Sequence, residues 1–183
     1  MNKYFLIALF GLLSVNHVAR AENVYIPYLG IDAIFNKAKA QNLRPQYYGA
    51  NINLGTSYNP YFGTEIFYQQ VGSETKKLSN TEKYKTSYRA YGLDLFAYSP
   101  ELLKFKAFAT AGAGFYVLKE KTLLTGRTTD EGYGYRFGGG LIYQISSHVA
   151  LRAAARYVNF DHISNADHMA EYTFGLRYNF VKD

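Results

Sequence analysis

From Tyr172 to Phe180 the even positions hold Tyr172, Phe174, Leu176, Tyr178 and Phe180, while the odd ones hold Thr173, Gly175, Arg177 and Asn179. Strict alternation of this kind predicts a β-strand with one apolar face and one small or polar face. The pattern recurs along the chain. In 48–58, Ala50, Ile52 and Leu54 alternate with Gly49, Asn51, Asn53 and Gly55; in 105–118, Phe105, Ala107, Ala109, Ala111, Ala113, Phe115 and Val117 alternate with Lys106, Phe108, Thr110, Gly112, Gly114 and Tyr116. In 133–145, Tyr135, Phe137, Leu141, Tyr143 and Ile145 face away from Arg136, Gly138, Gly140 and Gln144, and in 149–160 Val149, Leu151, Ala153, Ala155 and Tyr157 are set against Arg152 and Arg156. Weaker versions cover 24–35, 62–71 and 88–98, which brings the predicted strands to eight.

Most segments reach the about nine residues that a tilted strand needs to cross a bilayer, whereas strands of soluble sandwiches more often stop near about five or six. The connections alternate as well: long ones at 37–46, 72–85 and 119–132 and a shorter one at 161–168, against tight turns at Asn59-Pro60, Ser99-Pro100 and Ser146-Ser147. Short turns on one side and long loops on the other is the layout of a transmembrane barrel. The expected fold is therefore all-β: an eight-stranded antiparallel up-and-down transmembrane β-barrel with both termini in the periplasm. Composition agrees, with 19 Tyr and 13 Phe to girdle a barrel at its interfaces and only 4 Pro to interrupt strands.

The N-terminus reads as an export signal, with Lys3 as its positive end, an apolar stretch from Phe5 to Val15, and Ala19-Arg20-Ala21 as a small-x-small cleavage site. Residues 1–21 would be removed and 22–183 would form one outer-membrane barrel domain. With no cysteine there is no disulfide and no thiolate metal site. The runs Gly112-Ala113-Gly114 and Gly138-Gly139-Gly140 lie within strand patterns with no helix following, so a nucleotide loop is rejected. No cofactor and no metal is expected.

If the apolar faces meet lipid, the opposite faces carry Asp32, Glu65, Asp94, Lys106, Arg136, Arg152, Arg156, Glu171 and Arg177 into the lumen. The inverse arrangement would cost ~2 to 4 kcal/mol for each Arg or Lys placed at mid-bilayer. Acids and bases there must pair, because stranding one member of a buried ion pair costs about 3 to 5 kcal/mol. At about eight strands a barrel interior is filled by its own side chains, which favours a plugged lumen over an ion or solute pathway.

Ala111-Gly112-Ala113-Gly114, Phe137-Gly138-Gly139-Gly140-Leu141, Ala155-Arg156-Tyr157 and the ending Gly175-Leu176-Arg177-Tyr178-Asn179-Phe180 resemble the outer-membrane β-barrel family that includes the OmpA transmembrane domain, OmpX and the opacity proteins. The resemblance implies an envelope structural protein, adhesin or surface-evasion factor. Separately, His162-Ile163-Ser164-Asn165-Ala166 is similar to the His-x-Ser-Asn-Ala signature of the lipid A 3-O-deacylases. That resemblance implies His162 as general base, Ser164 as nucleophile and Glu171 as the carboxylate orienting the histidine. Those enzymes work on the lipid-facing wall, whereas the parity of Leu151, Ala153, Ala155 and Tyr157 turns His162 and Ser164 inward.

The first three long loops hold ten basic residues, among them Lys76, Lys77, Lys83 and Lys85, against five acidic ones. A basic rim of this kind attracts lipopolysaccharide phosphates or acidic host surface molecules. The function expected from the sequence is thus non-catalytic surface interaction by a monomeric barrel, with the deacylase as the alternative. An exported barrel is no partner for nucleic acid.

Overall fold

The computed structural model describes residues 25–39, 46–73, 76–77, 83–122, 126–161 and 168–180. The expected signal segment and the His162–Ser164 motif lie outside the described residues. Eight long strands follow one another: β1 (Ile26–Lys39), β2 (Gln46–Ser57), β3 (Phe62–Ser73), β4 (Lys83–Tyr98), β5 (Phe105–Thr122), β6 (Gly126–Gln144), β7 (Val149–Asp161) and β8 (His168–Asn179). A two-residue strand, Lys76–Lys77, pairs with the start of β4. Every long strand is antiparallel to its chain neighbours, and β1 pairs with β8 from Tyr28↔Asn179 to Lys39↔His168. The ring is therefore closed, and no long strand is left with a free edge.

Period two fixes which face of each strand turns outward. Ile31, Ile52, Leu54, Ile66, Leu93, Leu95, Phe137, Leu141, Phe174 and Leu176 are all about half exposed on the outer surface. A continuous apolar band far exceeds the few hundred Å² that water-soluble monomers show, so this surface is built for lipid. Aromatic pairs bracket the band. Tyr25–Tyr58, Phe105–Tyr143 and Tyr178–Phe180 lie toward the short-turn end, and Phe35–Tyr48, Tyr91–Phe115, Phe115–Tyr133 and Phe137–Tyr157 toward the long-loop end. Rings with one wet side settle at the two interfaces of a bilayer.

Three features depart from the sequence reading. The strands run on into segments expected to be loops, β1 to Lys39, β4 from Lys83, β5 to Thr122 and β6 from Gly126. Runs such as Lys119-Glu120-Lys121 are polar on both faces, so hydropathy carries no period there, although the backbone ladder continues through Lys121↔Arg127. The turn at Ser99-Pro100 extends to Lys104, closed by reciprocal backbone bonds between Leu102 and Phe105. Finally, the interior is not polar throughout.

Two apolar clusters lie within it, above and below a charged belt. Ile34, Tyr47, Phe67, Val71, Tyr88, Tyr116, Leu118, Val158 and Met169 lie toward the loop end, and Phe96, Tyr98, Phe108, Ile142, Ala150 and Ala154 toward the turn end. Because a closed ring must break many ladders at once to open, the folded chain in mild detergent should migrate on a gel apart from its boiled form. Identical mobility with and without heating would contradict the closed ring.

Candidate functional site

The charged belt is assembled from β1, β3, β4, β6, β7 and β8. On β7, Arg152 donates from Nη2 to Asp32 Oδ2 at 2.5 Å and from Nη1 to Glu65 Oε2 at 2.5 Å, so one guanidinium joins three strands. Asp32 also accepts from the side-chain amides of Asn51 and Asn53, each at 2.8 Å, and Glu65 from the Tyr28 hydroxyl at 3.1 Å. Arg136 makes a bidentate pair with Asp94, through Nη2 and through Nε at 2.7 Å. Its Cζ stands 3.3 Å over the Phe67 ring centroid. Glu171 accepts from Arg156 Nη1 at 3.2 Å and from Gln69 Nε2 at 2.9 Å, and lies 3.6 Å from Arg136 Nη1. All these charged side chains are buried, Asp32, Asp94 and Glu171 at 0 % exposure.

Burial at this depth makes the belt depend on its own partners, since an isolated ion there has no water to turn to. The geometry reveals a spacing rule that the sequence hides. Asp94, Gly112 and Arg136 are in register across β4, β5 and β6, and Asp32, Gly175 and Arg152 across β1, β8 and β7. Each acid reaches its arginine over a glycine, where no Cβ stands in the way.

Arg177 sits apart. Its guanidinium donates to Asn179 Oδ1 at 2.7 Å, Ser57 Oγ at 3.0 Å and the Tyr98 hydroxyl at 3.4 Å, and stacks 3.5 Å over Tyr28. No carboxylate of the described residues is within salt-bridge distance of it. Lys106 is half-buried near the same Tyr98, 5.8 Å from its ring centroid.

Of the residues in the His-Ser motif reading, only Glu171 is described, and it is engaged with Arg156, Arg136 and Gln69 inside the barrel. At the loop end the register places Lys77 opposite Lys83, Lys76 opposite Tyr84, Lys85 opposite Lys121, and Lys121 opposite Arg127. Arg89 is exposed and Lys119 half-buried on the same strands. Only the backbone of the strand assigns this register, and sequence reasoning, which treated these lysines as loop residues, had no signal for it.

The family model described as outer membrane protein beta-barrel domain matches residues 5–180. Among solved structures, the fold is similar to Neisserial surface protein A, with a TM-score of 0.71 and 16% identity over 84% of this chain and 97% of that one. It is similar to Ail, the attachment invasion locus protein of Yersinia pestis, in complex with the heparin analogue sucrose octasulfate, with a TM-score of 0.63 and 13% identity over 85% of this chain and 99% of that one. The outer membrane enzyme PagL is similar too, with a TM-score of 0.53 and 12% identity over 81% of this chain and 97% of that one. No curated protein sequence matches. At these identities the structural likenesses speak for the fold and not for the activity.

Proposed function

The chain belongs to the outer membrane protein beta-barrel domain family, and from that premise we propose that it is a surface-interaction protein whose barrel is a plugged scaffold. Its basic loop end binds phosphate- or sulfate-bearing polyanions, lipopolysaccharide of its own membrane before host surface molecules. The carrying observation is the register at that end. Lys85 opposite Lys121, Lys121 opposite Arg127 and Lys77 opposite Lys83 are basic residues paired in the backbone register, and like charges at paired positions destabilise a sheet unless counter-charge is supplied. A polyanion held against the wall supplies it. The complex of Ail with a sulfated heparin analogue is consistent with this chemistry on the same fold.

The scaffold half of the proposal rests on the belt and the two apolar layers, which together occupy the interior of an eight-stranded ring. In this reading residues 1–21 are removed on export, the short turns and both termini face the periplasm, and the long loops face outward. A monomer suffices.

Binding of the reconstituted barrel to lipopolysaccharide or heparin should be saturable and should weaken steeply as salt shortens the Debye length toward about 8 Å and below. Neutralising Lys76, Lys77, Lys83 and Lys85 to glutamine should weaken it by at least about tenfold, since each cation near an anionic surface contributes about 1 kcal/mol. Unchanged affinity in that variant would refute the reading. Ser164→Ala and His162→Ala should leave lipid A acylation as it is; loss of a 3-O-linked acyl chain that requires Ser164 would install the deacylase instead. The engagement of Glu171 with Arg156 and Gln69 favours the scaffold role for that residue.

A further inference from the structure

At the short-turn end the interior opens into a cavity of about 360 Å³. Its charged lining is Arg177, Lys104 and Lys106 against the single carboxylate of Glu101. Ile142 lines it from above and belongs to the apolar layer with Phe96 and Phe108, so the cavity ends at that layer.

Arg177 is 7 % exposed, and its nearest polar partners are all neutral. A guanidinium carries five N–H donors. Those donors reach Asn179, Ser57 and Tyr98, which leaves two without a protein acceptor among the described residues. Burying a cation without a counter-ion is costly, and no carboxylate of the belt reaches this one.

Lys104 is brought to the cavity by a turn held in an unusual backbone state. Leu103 and Lys104 have φ of 51° and 69°, the left-handed region that non-glycine residues avoid. The Lys104 carbonyl, accepting from Gln144 N at 2.8 Å, pins that state to β6. Positive φ at both central positions is what a two-residue hairpin turn requires, and Leu102 and Phe105 close that turn by reciprocal backbone bonds.

We propose that this mouth is a binding site for a small phosphate-class oxyanion, held by the Arg177 guanidinium and by the ammonium groups of Lys106 and Lys104. A planar fork with free donors matches a tetrahedral oxyanion bidentately, and the two ammonium groups supply point charges from the open side. A pocket of this size takes a free phosphate or phosphomonoester, or the headgroup of a phospholipid in the adjoining leaflet. Its closed upper end makes it a holding site and not a conduit. The site lies at the opposite end of the barrel from the basic loop-end wall and does not depend on it.

The test uses the whole mature barrel refolded in a phosphate-free, non-ionic detergent. Its unfolding midpoint is followed while inorganic phosphate replaces chloride at constant ionic strength. A ligand that binds only the folded state raises the midpoint by mass action, so a saturable rise is expected. Lys106→Gln should raise the half-saturating concentration about tenfold, the size expected for one charge-assisted contact. Lys104→Gln should act in the same direction, and either variant keeps the test valid if Arg177→Gln fails to fold. The rise should persist when the four loop-end lysines are glutamine, which separates this site from the proposed polyanion surface. A parallel titration with phosphatidylglycerol, without free phosphate, identifies the source: a rise there alone, lost in Lys106→Gln, makes the occupant a headgroup. No saturable rise with either titrant, or one equal in the wild type and both lysine variants, overturns the proposal.

Discussion

Arg152→Ala is expected to lower the stability of the barrel by about 3 to 5 kcal/mol, the cost of leaving buried charge uncompensated. Arg152 bridges Asp32 and Glu65 at 2.5 Å each, and both acids are nearly inaccessible to water. Its removal strands two carboxylates on two different strands, which neither Tyr28 nor the two asparagines can neutralise. Arg156→Ala should cost less, because its contacts to Glu171 and Asp94 are 3.2 and 3.9 Å and Glu171 keeps Gln69. Urea-unfolding midpoints of the refolded variants would rank the two. The triple variant Arg152→Met, Asp32→Asn, Glu65→Gln should recover most of the loss, since neutral side chains of similar volume leave no uncompensated charge buried. A wild-type midpoint for Arg152→Ala would mean that the belt is wet and the lumen open.

The inward placement of these residues was legible because period two is exact: once Ile31, Ala33 and Phe35 face lipid, Asp32 faces in. Their pairing was not. Arg152 meets Asp32 and Glu65 across 120 and 87 residues of chain, and that choice follows from the order in which the strands close, which no local pattern encodes. The apolar layers were hidden for a related reason. Phe108 and Tyr116 sit on the same face as Lys106 and Thr110, and an aromatic on a mostly small face reads as an exception until its neighbours from other strands, Phe96 or Tyr88, are seen beside it. At the loop end the reading failed where both faces turn polar, as in 119–122 and 126–129, because alternation of hydropathy is the only signal that separates strand from loop there. The cavity at the turn end was equally invisible, since Lys104, Lys106 and Arg177 come from a turn and two strands that the closed ring alone brings together.

The glycines carry the other half of the lumen's design, and Gly112→Ala is the change expected to expose it. A Cβ at Gly112 would run into the Asp94 carboxylate and the Leu93 carbonyl of the neighbouring strand. The backbone carbonyl cannot move without breaking the β4–β5 ladder, so Asp94 must give way, and with it the bidentate pair to Arg136. Overpacking alone costs about 1 to 3 kcal/mol, and displacing a buried ion from its partner adds to that. The loss should therefore approach that of Arg152→Ala although a single methyl group has been added. Gly72→Ala is the matched control: it lies in β3 with nothing within 4 Å of an added Cβ, and should leave the midpoint unchanged or slightly raised. The distinguishing measurement is a double-mutant cycle with Asp94→Ala. If Gly112 acts by leaving room for Asp94, the two losses should fall well short of adding, with a coupling of about 1 kcal/mol or more. Additive losses would mean that Gly112 is needed by the backbone alone, and that the register of acid, glycine and arginine is incidental.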